Sequence, residues 1–152
     1  MSLFRRNLPL SSTDMGTIAA AIAEAEKSTA GEIRVSIRRR RTWKERRLSI
    51  HEMALQEFQR LGMEKTKDKT GVLLYFLTAE RKFHIIADEG IHTKVADGYW
   101  DTLAAALGGH FKEERFCHGI CEAVQEIGRT LTREFPVQSD DTNELSNDVV
   151  LS

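Results

Sequence analysis

The run Gly71-Val72-Leu73-Leu74-Tyr75-Phe76-Leu77 constrains this chain more than any other segment. It carries no charge, and a strand with one wet face would alternate apolar and polar side chains, so it reads as a central strand covered on both faces. Ala79-Glu80-Arg81-Lys82 makes a tight turn, and Phe83-His84-Ile85-Ile86-Ala87 follows. Two strands spaced this closely pair as an antiparallel hairpin. A central strand needs a second neighbour. Glu32-Ile33-Arg34-Val35-Ser36-Ile37-Arg38 supplies it, with an alternation that predicts one buried and one wet face. Between these strands, Ile50, Met53, Ala54, Phe58 and Leu61 keep helical spacing over about 45–61, with Gly62 placed to end the helix. An intervening helix is what a parallel crossover requires.

Three further helices complete the pattern. The first spans about 13–28, capped by Ser12 or Asp14; another spans about 98–108, capped by Asp97 and broken by Gly108-Gly109. The last spans about 115–134 and stops at Phe135-Pro136. The order α-β-α-β-β-α-α predicts a three-layer α/β/α sandwich around a mixed sheet containing a central β-hairpin. At 152 residues the chain is the size of one domain and can bury a core without staples. The boundaries read as an N-terminal arm at 1–11, the domain at 12–136 and an acidic tail at 137–152. Asp140, Asp141, Glu144 and Asp148 lie in a stretch, 136–152, without Lys or Arg, which leaves 22 basic against 19 acidic residues elsewhere. That mild excess does not demand nucleic acid as a partner. Cys117 and Cys121, four apart on one helix, are no secreted disulfide framework and read as small packing residues. No apolar run approaches the ~20 residues of a membrane span. The basic start Met1–Leu10 lacks a long apolar stretch and a cleavage site, so the expected location is cytoplasmic.

The same topology gathers acids. In the hairpin, the start of strand 71–77 lies beside the end of strand 83–87, which brings Asp68 near Asp88 and Glu89. If strand 32–38 runs parallel to 71–77, Glu32 starts at that edge, and Asp97 and Asp101 open the helix leaving it. Converging carboxylates repel unless a cation or shifted pKa values relieve them. Calcium, which takes about 6–8 oxygens, is the natural ligand, with magnesium also suited. Zinc is disfavoured, since no Cys/His set has ligand spacing. The plainer reading makes Glu32 an exposed strand residue, Asp68 a loop charge and Asp97 a helix cap.

Arg38, Arg39, Arg40, Arg41 and Lys44, beside Trp43, could bind phosphates of nucleic acid or lipid. Such runs usually form solvated faces, and this one lies at the opposite sheet edge from the acids. His51-Glu52 lacks the second histidine of a zinc-protease helix, because position 55 is Leu55. No Cys-x5-Arg phosphatase loop, glycine-rich phosphate loop or nucleophile elbow is present.

These segments carry a family resemblance. Thr29-Ala30-Gly31-Glu32-Ile33-Arg34-Val35 resembles the opening T-x-G-E-I-x-V motif of the TPM-domain family. Thr70-Gly71-Val72-Leu73-Leu74 is similar to its N-G-V-L-L strand, and Glu80-Arg81-Lys82 with Ile85 to Ile91 to its hairpin and exit. Phe111 and Gly119-Ile120-Cys121-Glu122-Ala123-Val124 match its closing helix, and Phe135-Pro136 to Leu145 the ending of a bacterial single-domain subgroup. The resemblance spans residues 12–148. It implies an α/β/α sandwich and a divalent-metal site, calcium in some members, at loops on one sheet edge. Photosynthetic relatives are linked to photosystem repair and to acid phosphatase activity. A binding module that engages a protein partner or membrane-associated assembly is therefore the leading expectation. A weak metal-assisted phosphatase and an anion-binding arginine loop are the alternatives. The chain departs from the family motif at Thr70, where Asn is usual, at Glu80, where Asp is usual, and at Asp88-Glu89.

Overall fold

The computed structural model describes residues 10–137 and 148–152. Most of the expected arm, and Asp140, Asp141 and Glu144 of the acidic tail, lie outside the described residues. Four strands form one sheet, β1 (Glu32–Arg38), β2 (Gly71–Leu77), β3 (Lys82–Ala87) and β4 (Val150–Leu151), in the order β3-β2-β1-β4. β1 runs parallel to β2, with Glu32 opposite Gly71 and Arg38 opposite Leu77. β2 and β3 are antiparallel, with Val72 opposite Ala87. Helices α1 (Ser12–Glu26), α4 (Tyr99–Lys112) and α5 (Phe116–Glu134) cover one face, α2 (Ile50–Arg60) covers the other, and α3 (Glu89–His92) is a single turn leaving β3. The two cores follow from strand alternation. Ile33, Val35, Ile37, Val72, Leu74 and Phe76 face α1, α4 and α5, whereas Leu73, Tyr75 and Leu77 meet Met53, Ala54 and Phe58 of α2.

Several boundaries differ from the sequence expectation, each for a local reason. Ser11, rather than Ser12 or Asp14, caps α1: its hydroxyl accepts from Asp14 N at 3.0 Å and its N–H donates to the Asp14 carboxylate at 2.9 Å. α2 begins at Ile50, not 45. A helix running through would donate Ser49 N–H to the Glu45 carbonyl, but both groups are engaged elsewhere. Ser49 N donates to Glu52 at 2.9 Å, and the Arg41 guanidinium donates to the Glu45 carbonyl at 2.9 Å. Gly98, with φ of 82°, stands at the N-cap of α4 in place of Asp97. α4 then runs through Gly108 and Gly109 to Lys112. Phe111 beyond them packs against Phe76, Phe83 and Phe116 at ring separations of 5.5, 5.7 and 5.0 Å, and this tertiary packing outweighs the weak propensity of two glycines.

The larger correction concerns β1. Its expected wet face is buried from Glu32 to Ile37. Ser36 donates to Glu57 of α2 at 2.7 Å, and Arg34 is only 8 % exposed. The chain also returns after residue 147 to add β4 beside Ser36 and Ile37, where Ser152 N donates to the Ile37 carbonyl and Arg39 N to the Ser152 carbonyl, at 2.9 and 3.1 Å. The sequence pattern presents those residues only as part of an acidic tail.

Candidate functional site

The hairpin and the crossover bring the starts of β1 and β2 and the end of β3 to one edge. Asp88 N donates to the Gly71 carbonyl at 2.9 Å, which locks the exit of β3 onto the entry of β2. Asp88 also caps α3, accepting from Glu89 N at 2.8 Å through Oδ1. Its other oxygen, Oδ2, is buried and has no hydrogen-bond partner. Two residues on, Gly90 lies against the loop before β2, where an added Cβ would collide with the Asp68 and Lys69 carbonyl oxygens. Only glycine allows so close an approach. Lys69 itself takes a left-handed φ of 57°, and its ammonium donates to the Glu64 carbonyl at 2.6 Å. The edge therefore combines Asp88, the exposed Glu89 and Asp68, and backbone carbonyls drawn close by a glycine. A carboxylate oxygen withheld from water and from N–H donors is the kind of donor a hard cation takes.

The remaining acids sit differently. Glu32 begins β1 and donates its N–H to the Thr70 carbonyl at 3.4 Å, so its backbone belongs to this edge. Its side chain is 2 % exposed and meets the carboxyl of Glu26, a residue that sequence reading missed. Glu26 Oε2 accepts from Ile33 N at 2.7 Å. That N–H points away from β2, at a stretch of β1 that β4 does not cover, so the carboxylate closes the open sheet edge. The Glu26 carboxyl is pushed up to about 8, first by burial; the Ile33 N–H pulls it down, and the Glu32 carboxyl pushes it further up. Arg34 lies in the field of Glu26, Glu57, Glu32 and Asp148. Asp97 and Asp101 are exposed at the start of α4, and Asp97 lines a groove between α4 and α5.

Two arginines of the run, Arg38 and Arg41, are engaged in ion pairs. Arg38 forms a fork with Glu45 at 2.9 and 2.6 Å, which holds that carboxyl at about 2. Arg41 forms another with Glu80 at 2.6 and 3.0 Å and reaches the Leu48 carbonyl at 2.7 Å. Arg39 hydrogen-bonds through its backbone to the C-terminal strand, while Arg40 and Lys44 face solvent. Trp43, 75 % exposed, carries Arg46 over its ring at 3.8 Å. Cys117 and Cys121 are free thiols packed against the core, and burial pushes the Cys117 thiol up to about 12, away from the thiolate form.

Among the described residues, one group of three potential metal ligands comes together, and sequence reading did not find it: His110, His118 and Glu122. His110 lies in the last turn of α4, and His118 and Glu122 lie one turn apart at the start of α5. Glu122 receives both rings, His110 Nε2 at 3.1 Å and His118 Nε2 at 2.7 Å, and the three donor atoms lie within 4.8 Å of one another. The H-x3-E spacing at 118 and 122 was visible in the sequence. The third member was not, because only the helix turn at 113–115 returns His110 to the same place.

The chain matches the TPM domain model over residues 9–130. The BA42 protein of the psychrophilic bacterium Bizionia argentinensis, solved by NMR, is similar to it at 33 % identity, over 94 % of this chain and 95 % of that one, with a TM-score of 0.83. The N-terminal domain of the cg2496 protein of Corynebacterium glutamicum shares the fold at 16 % identity, covering 89 % of this chain and 81 % of that one with a TM-score of 0.61. No curated protein matches the chain. No helix among the described residues is long and apolar enough to cross a membrane. A parallel crossover, a hairpin and a helix pair in this order, with a matching family model over most of the length, establish that the chain belongs to the TPM-domain family.

Proposed function

We propose that this TPM domain is a divalent-cation-binding interaction module that takes calcium at the acidic edge and presents the loops ordered by it to a protein partner. The observation that supports this reading is the buried, unpartnered Oδ2 of Asp88, two residues before the glycine on which the Asp68 and Lys69 carbonyls close. A buried carboxylate oxygen without a partner is costly, and a cation removes that cost. Asp88 would be the inner ligand. Asp68, Glu89 and the loop carbonyls complete an oxygen shell, with water filling it as calcium tolerates. Glu32, buried against Glu26, and Asp97 and Asp101, at the start of α4, are not among the proposed ligands. Magnesium fits less well, because it demands near-octahedral geometry and these donors come from two loops.

Melting of the full chain with calcium, magnesium or EDTA tests this. A cation that binds only the folded state stabilises it by about 2.7 kcal/mol at a hundredfold excess over Kd, which for a domain of this size is a rise of about 5–10 °C. The expected result is that rise with calcium, a smaller one with magnesium, and none in Asp88→Asn with Glu89→Gln. A native chain whose melting ignores millimolar calcium would sink the reading.

A further inference from the structure

We propose that His110, His118 and Glu122 form a second metal site, selective for a borderline transition-metal dication such as Zn²⁺, with its fourth position open to the groove between α4 and α5. The ligand set has two imidazoles and one carboxylate, a combination seen in open zinc centres that keep one position for water or substrate. The donors come from two rigid helices rather than from loops. His118 and Glu122 are four apart on one helix face, and their side chains already meet at 2.7 Å. His110 is held against α5 by a close approach: a Cβ on Gly119 would stand 2.8 Å from the His110 Cβ.

The distances suit a metal. Tetrahedral Zn²⁺ with bonds near 2.0–2.1 Å sets its ligand atoms about 3.3 Å apart. The two His–Glu122 separations, 3.1 and 2.7 Å, lie near that value, and the full set spans no more than 4.8 Å. Rotation of the exposed His118 and Glu122 side chains, 57 and 51 % accessible, is enough to close the shell. Each imidazole would present Nε2 as acceptor, with its proton on Nδ1. His110, 20 % accessible, anchors the inner side. His110 and Glu122 also line the groove of about 750 Å³ that runs back to Asp97 and Tyr99. A metal-bound water or an anionic ligand would therefore face that groove, not bulk solvent alone. The site is chemically distinct from the oxygen-lined edge: imidazole nitrogen favours Zn²⁺, Co²⁺ or Ni²⁺ over calcium.

The test is calorimetric titration of ZnCl₂ into the EDTA-stripped full chain, with Co²⁺ as a spectroscopic reporter of four-coordinate binding. The native chain should bind one Zn²⁺ with micromolar or tighter affinity, undisturbed by millimolar calcium. His118→Ala and Glu122→Gln should each weaken binding by more than about tenfold, since loss of a ligand costs at least what loss of a supporting group does. Asp88→Asn should leave zinc binding unchanged, which separates this site from the acidic edge. Both ligand variants sit on exposed positions, and if circular dichroism shows one unfolded, the other decides. The proposal is overturned if the native chain binds no zinc below millimolar, if both variants bind as the native chain does, or if binding is lost only in Cys117→Ser with Cys121→Ser.

Discussion

Glu26 makes one local demand of the fold: its carboxyl must satisfy the Ile33 N–H and lie beside Glu32 at once. Two buried carboxyls in contact cannot both ionise cheaply, so one holds its proton to about pH 8 while its unfolded counterpart loses it near 4.5. The folded state thus binds the extra proton between those limits. The stability that comes from it is fully present below about pH 4.5 and is lost as pH rises through about 8, with a slope of at most about 1.4 kcal/mol per pH unit. Glutamine mimics the protonated form, accepting from Ile33 N and donating toward Glu32. Glu26→Gln should therefore match the native chain in urea at pH 5 and exceed it at pH 8.5. An identical pH slope in the two proteins would contradict the assignment. Nothing in the local sequence announced this pair. Glu32 was legible as a strand-start acid because the register was legible, but Glu26 reads as an ordinary polar residue on the last turn of a helix. Only the uncovered edge of β1 gives it a role.

At the scale of elements, the helix α5 is closely fitted along two neighbours. Gly128 faces Ala25 of α1, where an added Cβ would stand 2.6 Å from the Ala25 Cβ. Gly109 on α4 has open space around its would-be Cβ. Helix propensity alone favours alanine at both sites by roughly 0.5–1 kcal/mol. Packing reverses the sign at one. Gly109→Ala should raise the denaturation midpoint, and Gly128→Ala should lower stability by about 1–3 kcal/mol as α1 and α5 are pushed apart. Equal shifts of the same sign would mean that the two helices do not meet as described. The strands and helices were mostly legible, since β2, the hairpin and α5 rest on strong periodicity. What misled was punctuation. Gly108-Gly109 reads as a stop, yet Phe111 draws the helix past it into an aromatic cluster, and Arg38 to Arg41 read as a free basic loop, although Glu45 and Glu80 engage two of them. Ion pairing across 7 and 39 positions is invisible to a local pattern.

Across the whole molecule, the sheet has two edges with different solutions. β3 carries the exposed Lys82 and borders α2 through His84, whose ring meets His51 at 2.9 Å. β1 would be the other edge, and its Val35 and Ile37 belong to the core, so it cannot be left as an open row of N–H and C=O groups. Glu26 closes it at Ile33, and β4 closes it from Ser36 to Arg39. A chain end that reads as a polar tail thus serves as the sheet's fourth strand, and it places Asp148 in the field of the buried Arg34. Deleting residues 148–152 removes the hydrogen bonds to the Ile37 carbonyl and the Arg39 N–H and leaves Arg34 with one fewer counter-charge. Of the segment, only Val149 packs against a core, and both candidate metal sites lie elsewhere, so the domain should still fold. Its stability should drop by about 2–4 kcal/mol, from the lost pairing of β4 with β1 and the lost packing of Val149. The bared edge should also pair with its like in a second copy, so that light scattering shows a concentration-dependent dimer where the native chain shows less self-association. A truncated chain with unchanged midpoint and unchanged mass would mean that β4 decorates β1 without protecting it.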